Sequence, residues 1–236
     1  LADNGQFEKA GEMFERSLQV NANNIFALNS YGKALAEYGQ PDTAFEVFER
    51  SLQANPKNTN TLVSYGIVLT NHKQFHKAFE LFDRSLKIEP NNPVILASYG
   101  VAVANAGAFL EAFQQFEQSL QLDTHNALTL TNYGKALIHG GKFEQAIEVL
   151  ERARQITPDD TVLLNNYAIA LANAHQPEKA FELFEKSLTI KAYETVTLNS
   201  YATLLANHGQ PDKAFARFEQ SLALNSDDTV TLNSYA

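Results

Sequence analysis

Residues 59–92 read TNTLVSYGIVLTNHKQFHKAFELFDRSLKIEPNN, and their pattern returns every 34 residues along the chain. The repeat is clearest in one tyrosine and one alanine of each unit, which keep this step without any insertion. The tyrosines are Tyr31, Tyr65, Tyr99, Tyr133, Tyr167, Tyr201 and Tyr235, and the alanines are Ala10, Ala44, Ala78, Ala112, Ala146, Ala180 and Ala214. A fixed period of this length is typical of solenoids and other repeat arrays.

The period divides the whole chain into repeats, and we expect a single domain over residues 1–236. A half repeat, 1–24, precedes the full repeats and a partial repeat, 229–236, follows them. The full repeats are 25–58, 59–92, 93–126, 127–160, 161–194 and 195–228. Repeat positions are counted from the first residue of each full repeat, so that Thr59 is position 1.

Each repeat predicts two helices joined by a short turn. The first, helix A, has apolar or small residues at i, i+3, i+4 and i+7, which lie on one helical face. In residues 59–92 these are Leu62, Tyr65, Gly66 and Leu69. The second, helix B, has its own periodic series, which is Ala78, Phe79, Phe82, Ser85, Leu86 and Ile88. We expect the position 7 tyrosines, including Tyr133, to pack against adjoining repeats.

The residues at the predicted helix ends agree with this division. The turn after helix A, which contains Lys73 in residues 59–92, carries glycine in other repeats, as a left-handed residue favours: Gly5, Gly39, Gly107 and Gly209. Polar residues that suit an N-cap stand immediately before helix A: Asn58, Asn92, Asn126, Asp160 and Asp228.

The repeats resemble tetratricopeptide repeats, which carry small residues at positions 8, 20 and 27 and an aromatic residue at position 24. Position 8 is Gly32, Gly66, Gly100, Gly134, Ala168, Ala202 and Ala236, and position 24 is Phe14, Phe48, Phe82, Phe116, Leu150, Phe184 and Phe218. The chain departs from the family at position 4, which is leucine, and at position 7, which is tyrosine. Proline at position 32 occurs only as Pro56, Pro90 and Pro158.

This resemblance implies an all-α, right-handed superhelical solenoid with A helices lining a concave groove and B helices on the convex side. It also implies a non-catalytic protein–protein interaction scaffold that holds an extended or helical peptide of a protein partner in that groove. On the B helices, the pairs Glu46–Arg50, Glu80–Arg84, Glu148–Arg152 and Glu182–Lys186 are spaced for i, i+4 ion pairs. We interpret the recurring B-helix carboxylates as solvated surface.

Composition excludes several other functions. With 27 acidic and 18 basic residues the net charge is −9, so the basic surface of a nucleic-acid-binding protein is missing. No run of about 20 apolar residues is present, so we expect no membrane association. Cysteine is absent, and the sequence leaves the compartment open, with the cytoplasm favoured.

No motif indicates catalysis, a metal or a cofactor. The run 140–142 (Gly-Gly-Lys) lacks the spacing and trailing hydroxyl of a phosphate-binding loop. His72 and His76 are four residues apart, but a turn separates them and no third ligand is near. We therefore expect no enzymatic activity and no cofactor.

Candidate binding residues lie on helix A opposite its buried stripe, at positions 2, 5, 6, 9, 12 and 13. Uncharged polar residues form a ladder suited to a peptide backbone: Asn29, Ser30, Asn71, Asn105, Asn132, Asn165, Asn166, Asn173, Asn199 and Asn207. An apolar patch interrupts it at Val63, Ile67, Val94, Ala97 and Val101, and Lys33 and Lys135 stand nearby at position 9. The alternatives are that duplicated repeats merely share soluble residues, and that a neighbouring helix covers the patch.

Two other functions remain open from the sequence. Because the chain begins at Leu1 without a leader, we expect it to be a segment of a longer protein, which allows a glycosyltransferase or signalling ATPase whose catalytic domain lies elsewhere. The chain is two residues short of seven repeats, so head-to-tail self-association through uncapped ends, from Ala236 to Leu1 of the next copy, is a further possibility.

Overall fold

The computed structural model describes residues 4–226 and 229–235, and over these residues it contains helices and turns without any β-strand. The helices are α1 (Asn4–Val20), α2 (Ile25–Glu37), α3 (Pro41–Ala54), α4 (Thr59–Asn71), α5 (Phe75–Ile88), α6 (Pro93–Asn105), α7 (Phe109–Leu122), α8 (Ala127–His139), α9 (Phe143–Ile156), α10 (Thr161–Asn173), α11 (Pro177–Ile190), α12 (Thr195–Asn207), α13 (Pro211–Leu224) and α14 (Thr229–Tyr235). Even-numbered helices are the predicted A helices and odd-numbered helices the B helices. The all-α helical repeat fold is confirmed.

The chain divides into two compact units, Leu1–Leu122 and Asp123–Ala236. In the first, α2 packs on α3, α4 on α5 and α6 on α7, and each of α1, α3 and α5 also packs on the A helix that follows it. In the second, α8, α10 and α12 form the same hairpins with α9, α11 and α13, and these B helices pack on α10, α12 and α14. Each unit therefore shows nearest-neighbour stacking of repeats, as a helical array requires. That all repeats form one domain stays a prediction, and Leu1 and Ala236 lie outside the described residues.

The helix ends follow the sequence closely. The side chains of Asn58, Asn92, Asn126 and Asp160 accept hydrogen bonds from backbone N–H groups in the first turn of the A helix that follows. These four predicted N-caps are confirmed, while Asp228 lies outside the described residues.

The turns between helices A and B need one residue in the left-handed region. Gly39, Gly107, Gly141 and Gly209 have φ angles of 76°, 86°, 71° and 68°. Lys73 and His175 adopt φ 58° at the same repeat position, where a side chain costs about 1 kcal/mol relative to the right-handed form. Gly5 differs from the prediction because it lies within α1.

The residue at position 8 lets helices A and B approach closely within a repeat. A Cβ atom built on Gly66 would lie 2.9 Å from Cζ of Phe82, and one built on Gly32 would lie equally close to Phe48. Both phenylalanines, at position 24, are completely buried. Glycine at position 8 therefore provides the space that the aromatic ring fills.

The same phenylalanine ring also contacts the next repeat. Phe48 stacks on Tyr65 with 5.3 Å between ring centroids, and Phe82 stacks on Tyr99 at 5.4 Å. In the second unit Phe184 stacks on Tyr201 at 5.4 Å. The expectation that position 7 packs against an adjoining repeat is confirmed at these tyrosines.

The hydroxyl groups of these tyrosines bind carboxylates of the preceding B helix. Tyr65 donates to Glu49 at 3.3 Å and Tyr201 to Glu185 at 2.8 Å. Burial and the nearby carboxylate raise the pKa of Tyr65 to about 12. The carboxylates at position 25 therefore join repeats, which corrects our interpretation of them as solvated surface.

The basic residues at position 26 also act between repeats. Arg84 donates to the backbone oxygen of Pro56 at 3.2 Å, and Lys186 donates to that of Pro158 at 2.8 Å. Carbonyl groups beyond a helix end lack partners within the helix and accept such bonds readily. The four predicted i, i+4 ion pairs are wrong, since none is among the ion pairs of the described residues.

Replacing Gly66 with valine tests the contact between positions 8 and 24. We expect the free energy of unfolding to fall by about 1–3 kcal/mol, because the new side chain overlaps the buried ring of Phe82. Gly11→Ala is the matched control, because its new Cβ would lie 4.0 Å from the nearest neighbouring side-chain atom, on Tyr31. This change should stabilise α1 by up to about 1 kcal/mol. Urea denaturation measures both variants. Unfolding midpoints of Gly66→Val and Gly11→Ala that shift in the same direction would contradict this interpretation.

Alkaline pH should weaken the contacts between repeats. The folded-state pKa values of Tyr65 and Tyr201 are raised to about 12 from 10.0, so the stability they contribute is complete below pH 10.0 and falls as the pH rises towards about 12. Glu49→Gln should lower the pKa of Tyr65 and reduce the loss, whereas Glu46→Gln on the same helix should not. Tyrosine absorbance titration and urea midpoints measure both effects, and identical alkaline behaviour of the two variants would argue against the Glu49 contact.

Candidate functional site

The surface formed by exposed residues of neighbouring A helices, here called the A face, contains a cavity in each compact unit. In the first unit, a cavity of about 250 Å³ opens between α2 and α4. Its lining residues are Lys33, Ala36, Glu37, Ser64, Ile67, Val68, Asn71 and His72. Apolar side chains thus lie beside one cation and one carboxylate.

The second unit has a larger cavity, of about 460 Å³, between α10 and α12. Its lining residues are Ile169, Ala172, Asn173, Phe184, Asn199, Ser200, Thr203, Leu204, Asn207 and His208. Apart from His208, no lining side chain is ionisable. Amide and hydroxyl groups therefore provide the polar contacts of this cavity.

The two cavities use the same repeat positions. Each combines positions 9, 12 and 13 of one A helix with positions 6, 9, 10, 13 and 14 of the next repeat. Among the residues of α2, α4, α6, α8, α10, α12 and α14, the Lys, Arg, Asp and Glu side chains are Lys33, Glu37 and Lys135. The A face is thus almost free of charge in a chain of net charge −9.

Comparisons with known proteins agree with this architecture. A tetratricopeptide repeat family model matches residues 103–165. A tetratricopeptide repeat protein from Parabacteroides merdae superposes with a TM-score of 0.80 at 15% sequence identity, over 99% of this chain and 93% of that chain. Residues 103–165 are thus similar to tetratricopeptide repeats, and over the described residues the chain shares the fold of tetratricopeptide repeat proteins.

Two further structures show how widely this fold is shared. The Cut9–Hcn1 hetero-tetramer of the APC/C gives a TM-score of 0.81 at 12% identity, over 99% of this chain and 46% of that chain. YrrB, described as having an unusual peptide-binding site, gives 0.55 at 15% identity, over 80% of this chain and 97% of that chain. At these identities the similarity is one of fold. No curated protein sequence matches the chain.

Most of the predicted binding residues are accessible. The exposed ones are Lys33, Ile67, Asn71, Val94, Asn105, Lys135, Asn173 and Asn207. Half-buried are Asn29, Ser30, Val63, Ala97, Val101, Asn132 and Asn199. The cavities bring together Lys33, Ile67 and Asn71 in the first unit and Asn173, Asn199 and Asn207 in the second.

The structure corrects the expectation for two asparagines and one valine. Asn165 and Asn166 are only 7% and 8% exposed, because α10 lies between α8 and α12 and contacts both. Val63 packs against the hydrophobic core of the first unit. The polar ladder is therefore interrupted in the second unit, and the exposed apolar patch of the first unit is reduced mainly to Ile67 and Val94.

Position 5 asparagines differ in their hydrogen bonding. Asn199 Oδ1 accepts a hydrogen bond from Thr231 in the next repeat at 2.9 Å. Asn165 Oδ1 is buried without a hydrogen-bond partner, and in the next repeat Thr197 donates to Glu194. An asparagine at position 5 thus joins two repeats at Asn199 but leaves an unsatisfied acceptor at Asn165.

Sequence reasoning placed position 2 on the exposed face and singled out Val94, but it missed that exposed apolar residues occupy this position in most repeats. Phe26 is 81% exposed and Leu128 71%, and Val94, Val162 and Val196 are also exposed. The signal was available in the sequence, because position 2 is apolar in every repeat except 59–92, where it is Asn60.

The described residues contain no cluster of three or more His, Asp or Glu side chains that could hold a metal ion. His72 and His76 are exposed, and His76 lies 3.4 Å from Glu80. Within the same part of the chain, no helix has the length and hydropathy needed to cross a membrane.

Exchanging asparagine for leucine should affect the two position 5 sites differently. Asn165→Leu removes an unsatisfied buried acceptor, so we expect unchanged stability or a gain of up to about 1 kcal/mol. Asn199→Leu leaves Thr231 without this acceptor and should cost about 1 kcal/mol. Urea denaturation compares them, and an equal loss in both variants would show that Asn165 is satisfied in solution.

Proposed function

We propose that this chain is a protein-interaction scaffold whose A face binds a peptide segment of a partner with few charged residues. The observation that carries the proposal is the near absence of charge on the A helices, beside two cavities at equivalent repeat positions. Tetratricopeptide repeat proteins are typically scaffolds without catalytic activity, and residues 103–165 match that family.

The chemistry of the A face favours one kind of ligand. Charged side chains of a ligand would lose water without gaining partners in the cavity between α10 and α12, whereas backbone amides would find Asn173, Asn199 and Asn207. In the first unit, Ile67 is 41% exposed beside Lys33, which suits an apolar side chain with a carboxylate nearby. The predicted binding residues that remain exposed fit this role.

Peptides selected from a random display library against the whole chain test the proposal. Ile67→Asp and Thr203→Asp place a carboxylate at position 9 of each cavity, and we expect at least one of them to weaken each selected peptide by about tenfold or more. Leu110→Asp is the matched control, because Leu110 is an apolar residue of B helix α7 that is 75% exposed.

Affinities should be measured by fluorescence anisotropy, with circular dichroism to verify helicity. Peptides that bind Ile67→Asp and Thr203→Asp as tightly as the unmodified chain, but lose affinity for Leu110→Asp, would place the binding surface on the B helices instead.

A further inference from the structure

Successive B helices of the first unit enclose crevices on the side opposite the A face. One, of about 450 Å³, lies between α1 and α3, and another, of about 600 Å³, lies between α3 and α5. Each contains a tyrosine whose hydroxyl donates to a position 25 carboxylate: Tyr31 to Glu15 at 3.4 Å and Tyr65 to Glu49 at 3.3 Å. Both crevices therefore combine an aromatic ring with an anionic acceptor.

In the second unit the equivalent pair carries an arginine of the chain itself. Arg154 occupies position 28, where the other repeats have leucine. Its guanidinium donates two hydrogen bonds to Glu151, at 2.7 and 3.0 Å, and its Cζ atom lies 5.9 Å from the centroid of Tyr167. Bidentate bonding to a carboxylate and stacking on an aromatic ring are the interactions that distinguish arginine from lysine.

A second arginine reaches the next pair from another position. Arg217, at position 23, has its Cζ atom 5.5 Å from the centroid of Tyr201, and Tyr201 donates to Glu185 at 2.8 Å. Arg217 also donates to Gln220 at 3.0 Å. Two arginines at different repeat positions thus lie over equivalent tyrosines, and Arg154 also binds the carboxylate paired with its tyrosine.

The first unit has no arginine at these positions. Positions 28 and 23 are Leu18 and Val47 in the crevice between α1 and α3, and Leu52 and Leu81 in the crevice between α3 and α5. We propose that these two crevices bind arginine side chains of a partner protein. The guanidinium group contacts Glu15 or Glu49, and the aliphatic part of the arginine lies on the apolar residues.

Carboxylates outnumber cations in the first crevice, and the two are equal in number in the second. Glu46 and Arg50 also line the first crevice, and Glu80, Lys77 and Arg84 line the second. Arg84 donates to the backbone of Pro56.

The second unit provides a precedent for neighbouring cations. Lys186 occupies the same repeat position as Arg84 and donates to the backbone oxygen of Pro158. It lies on α11, and Arg154 lies on the preceding B helix, α9. The proposal does not depend on peptide binding at the A face.

The test uses N-acetyl-arginine N-methylamide, with the citrulline analogue as an uncharged control of nearly the same shape. In the whole chain with isotope-labelled tyrosine, we expect the arginine compound to shift the NMR signals of Tyr31 and Tyr65, and citrulline to bind about tenfold more weakly. Glu15→Gln and Glu49→Gln should each abolish the shift at their own crevice.

Two further variants exploit the difference between the units. Leu52→Arg should fill the crevice at Tyr65 from within and block the probe there. Arg154→Leu should free the site beside Tyr167, so that the arginine compound also shifts the NMR signal of Tyr167. Misfolding cannot produce such a gain of binding.

Three results would overturn the proposal. They are the absence of any shift at Tyr31 and Tyr65, equal shifts with the citrulline compound, and shifts that persist in both glutamine variants.

Discussion

In several repeats one phenylalanine ring packs both within its own repeat and against the next repeat. Phe82 fills the space left by Gly66 in its own repeat and stacks on Tyr99 in the next, and Phe48 does the same with Gly32 and Tyr65. Packing within a repeat and packing between repeats therefore share one side chain. Because a single helical hairpin cannot bury its apolar face, this shared contact is what allows neighbouring repeats to stabilise each other.

Local features of the sequence were sufficient to predict the helices and their ends. The N-caps Asn58 and Asn126 and the turn at Gly39 depend on residues within a few positions, so a period of 34 residues determines them. Small residues at position 8 and aromatic residues at position 24 carried the family resemblance, and the structure shows that they allow the close approach of the two helices. These features are short-range and recur in most repeats.

Features that depend on the distance between repeats could not be predicted in the same way. Helical periodicity places Asn165 opposite the buried stripe of its own helix but does not show how closely the adjacent A helices approach, and the side chain is buried. Arg84 has a suitably spaced Glu80, yet it binds Pro56, 28 residues earlier, because a free carbonyl lies across the repeat boundary. In both cases a contact between repeats overrides the local pattern.

The two sides of the array differ in chemistry, and this difference arises from the repeat itself. The A face is nearly uncharged and contains amide-lined cavities, whereas the B helices carry most of the charged residues and hold tyrosine–carboxylate pairs at their junctions. The two proposals therefore assign different ligands to these surfaces, an uncharged peptide segment to the A face and arginine side chains to the crevices. The two surfaces are independently testable because they lie on different helices.

A double-mutant cycle on Phe82 and Tyr99 tests most directly whether one ring joins neighbouring repeats. Phe82→Leu, Tyr99→Leu and the double variant are compared with the unmodified chain by urea denaturation, within one compact unit. Stacked aromatic rings typically contribute about 0.5–1.5 kcal/mol beyond their buried area, so the two changes should show an interaction energy of about that size. Strictly additive losses of stability would contradict the account, because they would mean that the ring packs within its own repeat without stabilising the next.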